Sequence, residues 1–221
     1  MEMVLSPWFF PRLFKGGIVK KPNRNIVSLS VMAVLLAAAA GAQAQSSTSG
    51  ASSPYAIYGS GNSYLGLNAG QSNFSMGNGT GLYGADKYDL AYSVYAGSYF
   101  NQNFGFELGY IDFGGVNRAG GKTKADGINL SVVGRLPIGS SFNLLGKLGT
   151  TYGRTDVTSG AGSGITAGTE KEFGWAYGLG AEYTFHPQWS AVLQYEEHDL
   201  KFAGGDRDRI SATSLGLRYR F

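Results

Sequence analysis

The sequence predicts an all-β chain, an eight-stranded antiparallel up-and-down transmembrane β-barrel. Three observations predict it. Large apolar residues alternate with small or polar ones over stretches of about ten residues, the pattern of strands with two unlike faces. Short and long connections follow one another in turn, as in barrels that cross a membrane. No Lys or Arg falls at mid-strand among the large apolar positions. Composition agrees, with 35 Gly in 221 residues, 15% charged residues and no Cys. Each internal Gly costs a helix about 1 kcal/mol, and no window sustains a helical apolar stripe. Missing Cys excludes a disulfide scaffold, thiolate zinc sites and thiol chemistry.

The first element is a leader. Lys20, Lys21 and Arg24 precede an apolar run from Ile26 to Ala40, and Ala42 and Ala44 form an A-x-A end. This describes a secretory signal peptide over residues 1–44, cleaved after Ala44. A membrane-spanning helix needs about 20 apolar residues, more than this run offers. Met1–Ile18 lengthens the cationic region beyond the usual signal, which points to a translation start at Val19. Residues 45–60 form a Ser/Gly-rich lead into a barrel over 61–221. The leader holds five of the 18 basic residues and one of the 15 acidic ones, leaving 13 against 14. A basic surface for nucleic acid is not supported.

The strands then follow in order. Leu65, Leu67 and Ala69 alternate with Tyr64, Gly66, Asn68 and Gly70, and Leu90, Tyr92, Val94, Ala96 and Phe100 with Ala91, Ser93, Tyr95 and Gly97. Phe104, Phe106, Leu108 and Tyr110 flank Gly105, Glu107 and Gly109. Ile128, Leu130, Val132 and Leu136 flank Asn129, Ser131 and Arg135. Phe142, Leu144, Leu148 and Tyr152 interleave with Asn143, Lys147 and Gly149. The clearest case is 173–185, with Trp175, Tyr177, Leu179 and Tyr183 against Gly174, Gly178, Gly180 and Glu182. Trp189–Glu196 and Ser214–Phe221 complete the set. In a soluble sandwich the bulky face would be the core. A barrel in lipid inverts this, with bulk outside and Gly or polar groups inside. Closure also pairs every backbone N–H and C=O, which lipid cannot do.

Asn101–Asn103, Pro137–Ser141 and His186–Gln188 read as tight turns, and 73–89, 113–125, 154–171 and 198–209 as long loops. Parity places Glu107, Glu182 and Glu196 inside, together with Arg135, Lys147, Arg218 and Arg220. Eight strands leave an interior just wide enough for side chains to fill. A packed interior ion network is therefore expected. The outward acids Asp112 and Glu197 fall at strand ends.

The last residues combine Ser214, Gly216, Tyr219 and the terminal Phe221 in a polar, glycine, aromatic, aromatic spacing. That spacing resembles the signal read by the outer-membrane insertion machinery, which an edge strand can engage by β-augmentation. With Phe106–Phe113, Leu144–Gly149 and Tyr177–Tyr183, residues 60–221 resemble the small OmpA/OmpX-type outer-membrane β-barrels of Gram-negative bacteria. The resemblance implies an outer-membrane location reached through the periplasm. It implies as partners outer-membrane lipids, lipopolysaccharide and the insertion machinery. It covers the barrel only. No peptidoglycan-binding domain follows Phe221, so no tether to the cell wall is expected.

No catalytic residue, cofactor or metal is expected. His186 lies in a Pro-containing turn, and His198 has no Ser two residues on, as lipid A deacylases of this shape would. Alternation splits Glu196 and His198 from Glu197 and Asp199, which argues against a metal site. Asp206–Arg209 reads as a charged loop, and Gly160–Gly164 lacks the Lys-Ser/Thr of a phosphate loop. Asn73–Ser75 and Asn78–Thr80 match glycosylation sequons by chance. The expected function is that of a structural and interaction protein, a barrel anchor presenting four extracellular loops. Phe74, Met76, Leu82, Tyr83 and Phe202 are the apolar anchors expected in those loops. A narrow porin-like channel for small solutes is the alternative, and a lipid-modifying enzyme the second.

Overall fold

The computed structural model describes residues 62–76, 86–118, 120–204 and 207–221. The expected leader with Ala42 and Ala44, the possible start at Val19, the 45–60 lead, and Asn78–Thr80, Leu82 and Tyr83 lie outside the described residues. Eight strands form: β1 (Ser63–Phe74), β2 (Tyr88–Tyr99), β3 (Phe104–Arg118), β4 (Gly121–Ile138), β5 (Phe142–Val157), β6 (Gly168–His186), β7 (Trp189–Lys201) and β8 (Arg207–Arg220). Each pairs antiparallel with its sequence neighbours. β1 also pairs with β8, from Tyr64↔Arg220 to Phe74↔Ile210, which closes the barrel.

The exposed face is the bulky one. Leu179 is 72% exposed, Leu90 65%, and Phe173, Trp175 and Leu215 62% each. No water-facing sheet carries such a continuous apolar belt, but hydrocarbon solvates it. Aromatic pairs rim the belt at both ends. Phe142–Tyr183 and Trp189–Tyr219 lie near the short turns, and Tyr152–Phe173 lies near the long connections. By the usual sidedness of such barrels the short turns are periplasmic and the long connections extracellular.

The strands outrun the sequence reading. Over 113–125 a loop was expected, yet β3 continues to Arg118 and β4 begins at Gly121, with Gly120 at φ 68° in the turn. The connections at 154–171 and 198–209 shrink likewise, to 158–167 and 202–206. Outside the hydrocarbon, outward positions are free to be charged while inward ones still bury Val116, Thr123 and Val157. Polarity there marks water, not the end of the sheet. Asp112 is a second correction. It sits within β3, 8% exposed, where it accepts a hydrogen bond from the Tyr92 hydroxyl at 3.0 Å. A bulge follows it, and Gly114 takes φ 76° there with its N–H on Asp112 Oδ1 at 2.8 Å.

Candidate functional site

The lumen is the candidate site, and it is built in three layers. Nearest the short turns lie ions. Glu107 (β3), Lys147 (β5) and Glu196 (β7) converge, with Lys147 Nζ 2.6 Å from Glu107 Oε1 and 3.0 Å from Glu196 Oε1. Arg218 on β8 lies 3.5 Å from Glu107 Oε2 and 3.5 Å from Glu182 Oε1. Arg220 reaches Glu182 Oε2 at 2.8 Å. Ser190 donates to Glu182 at 2.6 Å, Asn143 at 3.2 Å, and Tyr64 donates to Glu107 at 2.9 Å. Three carboxylates thus meet three cations in one contiguous chain.

Glycine makes this layer possible. Arg218, fully buried, lies over the Tyr64 ring at 4.1 Å and near the Tyr95 ring at 5.4 Å. These rings lie against bare backbone. A Cβ on Gly97 would come within 2.4 Å of Tyr64, and one on Gly66 within 2.2 Å of Tyr95. Gly97→Val is expected to lower the unfolding free energy of the lipid-reconstituted protein by about 1–3 kcal/mol, the usual cost of overpacking, read as a lower urea midpoint. An unchanged midpoint would mean that the rings have somewhere else to go.

Arg135 does not join. Its Nε and Nη2 donate to the Gln102 carbonyl at 3.2 and 2.8 Å, and its guanidinium lies 4.2 Å over Tyr99. It sits too near the short-turn rim, just before Pro137, and the adjacent turn offers a closer acceptor than any interior acid.

The middle layer is uncharged. Tyr95 donates to Asn68 Oδ1 at 3.2 Å, Asn68 donates to Gln194, and Asn129 donates to Thr151 at 3.0 Å. Thr151 Oγ1 lies 2.7 Å from His198 Nδ1. This hydroxyl–imidazole pair, 47 residues apart in sequence, is invisible to local motif reading. Both members are buried, and the Phe113 ring stands edge-on to His198 at 5.0 Å. A cavity of about 20 Å³ beside Glu107, Asn129, Glu196 and His198 has room for roughly one water.

The third layer, at the long-connection end, is apolar. Phe74, Met76, Ile111, Phe113, Leu200, Phe202 and Ile210 pack into one buried cluster. Phe74, Met76 and Phe202 were expected as exposed loop anchors, and instead they fill the barrel mouth. Phe74 ends β1 with inward parity, and Met76 and Phe202, just past the ends of β1 and β7, keep to the same inward side. Among the described residues no group of three or more His, Asp or Glu could hold a metal ion.

The terminal strand completes the wall. Ser214 and Gly216 face the lumen, where a Cβ on Gly216 would meet Asn68 Oδ1 at 2.0 Å. Tyr219 packs on Trp189 at 4.9 Å and on Phe221 at 5.4 Å.

Residues 30–221 match the family described as outer membrane protein beta-barrel domain. The chain belongs to that family. It is 28% identical over 142 residues to outer membrane protein A of Yersinia pseudotuberculosis serotype I (strain IP32953), covering 57% of this chain and 39% of that protein. Against outer membrane protein A of Serratia marcescens it is 29% identical over 153 residues, covering 65% and 43%. The matched region thus spans less than half the length of these relatives. Among solved structures, Neisserial surface protein A aligns with TM-score 0.57 at 15% identity, over 72% of this chain and 97% of that one. Ail, the attachment invasion locus protein of Yersinia pestis, aligns with TM-score 0.50 at 21% identity, over 74% and 100%. At these identities the structures speak to fold alone. The family and the fold together place this outer-membrane barrel in the bacterial outer membrane.

Proposed function

We propose that this barrel is a closed anchor whose task is to hold the connections of its extracellular end at the cell surface. One observation carries the reading: the lumen is filled along its length, by paired ions, then hydrogen-bonded amides and hydroxyls, then an apolar cap. A path for solutes would have to break buried ion pairs and also wet the apolar cluster around Phe113. The narrow channel is therefore the weaker reading. Function in loops held by a rigid scaffold is the general expectation, and the structural neighbour Ail is the attachment invasion locus protein of Yersinia pestis. The same proposal gives β8 to the insertion machinery, with Tyr219 and Phe221 at the interface beside Trp189.

Planar-bilayer recording of the refolded chain tests the closed lumen. The expected trace is flat. Steady openings that Phe113→Ala enlarges would favour the channel and overturn the anchor.

A further inference from the structure

At the long-connection end the strands part company. Pairing of β6 with β7 ends at Ala176↔His198, whereas β5 and β6 stay paired to Val157↔Gly168 and β7 and β8 to Lys201↔Arg207. The end of the β7–β8 hairpin therefore leans inward, across the lumen side of β6. A Cβ on Gly174 would meet the Asp199 carbonyl oxygen at 1.6 Å, and one on Gly153 would meet Leu200 at 2.4 Å. Only bare backbone admits this crossing. Thr155 on β5 donates to the Lys201 carbonyl at 2.6 Å and holds the hairpin in place.

The lean leaves a cavity of about 290 Å³ between residues 202–204 and the β5–β6 connection. Val157, Ile165, Phe202 and Ala203 line its apolar part, and Ile165 and Ala203 also pack on the apolar cap. The connection is pinned from within. Ser159 donates to the Ile165 carbonyl at 2.9 Å, and the Ser163 N–H donates to the Gly160 carbonyl at 3.3 Å. Gly164, Thr166 and Gly204 also line the cavity and are exposed, so they form its lip. Gly204 takes φ 110°, which favours glycine, and no side chain stands in the opening there.

Two charged groups face this space. Arg118, from β3, has Nη1 3.2 Å from Met76 Sδ, and its Nε is buried with no hydrogen-bond partner among the described residues. It forms no ion pair among the described residues. Lys201, Arg207 and Arg209 differ, being matched by Glu172, Glu197 and Asp199. Asp208, from β8, also lines the cavity. One base and one acid in a small space select by what they exclude. A polyanion brings surplus charge against Asp208, and a fatty tail buries that carboxylate against hydrocarbon. A cationic ligand does the same to Arg118.

We infer that this cavity binds one sugar ring carrying a single carboxylate, a hexuronate. The carboxylate meets the Arg118 guanidinium, whose fork suits it. Ring hydroxyls donate to Asp208, a carboxylate with about four lone-pair sites that accepts more than one donor. The C–H faces of the ring lie on Val157, Ile165 and Phe202. The volume, that of roughly ten waters in the liquid, holds one ring and not an oligosaccharide. The inference rests on the reading that this end of the barrel faces the exterior. It stands whether or not the lumen conducts, which the bilayer recording decides separately.

The test is equilibrium binding of radiolabelled glucuronate to the refolded full chain in phospholipid nanodiscs, with glucose as the neutral ring of the same frame. Heat-modifiable gel mobility selects folded protein for every variant. The parent is expected to bind glucuronate about tenfold more tightly than glucose, the scale of one hydrogen-bonded charge. Arg118→Gln is expected to remove that preference, and Arg209→Gln, outside the cavity, to keep it. Absence of saturable glucuronate binding by the parent, or equal binding of glucose, overturns the site without recourse to any variant. An unchanged preference in Arg118→Gln overturns it as well. Displacement of glucuronate by equimolar inorganic phosphate would mark a general anion site and overturn the sugar-acid reading.

Discussion

Glu182→Ala is expected to lower the stability of the lipid-reconstituted barrel by about 3–5 kcal/mol, the cost of breaking a buried ion pair from one side. Glu182 is fully buried and accepts from Ser190 and Asn143 while facing Arg218 and Arg220. Without it, Arg218 keeps only Glu107, which Lys147 already engages at 2.6 Å. Three cations would then share two carboxylates in a narrow lumen. The comparison is Glu170→Ala, a carboxylate of the same strand near the long-connection end, where water is at hand. Urea midpoints of the two variants in the same vesicles decide the matter. If they coincide, the interior charges are solvated rather than mutually dependent.

A second large effect is expected on the opposite face of the same strand. Leu179 is 72% exposed and lies near the middle of β6. In a water-soluble protein, Leu→Arg at so open a position would change little. In a bilayer it is expected to cost about 2–4 kcal/mol at the midplane. Folding titrations of Leu179→Arg in vesicles measure this directly. A midpoint matching the parent would show that this surface does not meet hydrocarbon. The two variants are three residues apart, yet each fails for the opposite reason. One leaves charge unpartnered inside, and the other puts charge where no partner exists.

The strand set is legible because period-two alternation is a local property. Residues 173–185 show it without help from any other segment, and eight such stretches with alternating turn lengths suffice for the closed barrel. Parity also puts Glu107, Lys147, Glu182, Glu196, Arg218 and Arg220 on the inward face, but it says nothing of height. Arg135 has the right parity and the wrong height, so it bonds the Gln102 carbonyl instead. The Thr151–His198 pair depends on the register of strands far apart in sequence, which no short motif encodes. The apolar mouth is hidden for another reason. Beyond the membrane the outward face turns polar while the inward face keeps its bulk, so the outward alternation is lost and the stretch around 113–125 looks like loop.

The strands are unequal in length: β1 and β2 have 12 residues each, while β4 has 18 and β6 has 19. At about 3.3 Å per residue and about 40° of tilt, a strand of β6's length climbs on the order of 45 Å and one of β1's length about 30 Å, against an apolar band of about 25 Å. The cylinder is therefore cut obliquely, with a tall parapet on one flank and a low sill on the other. Anything arriving along the envelope from the high side first meets a stiff hydrogen-bonded screen.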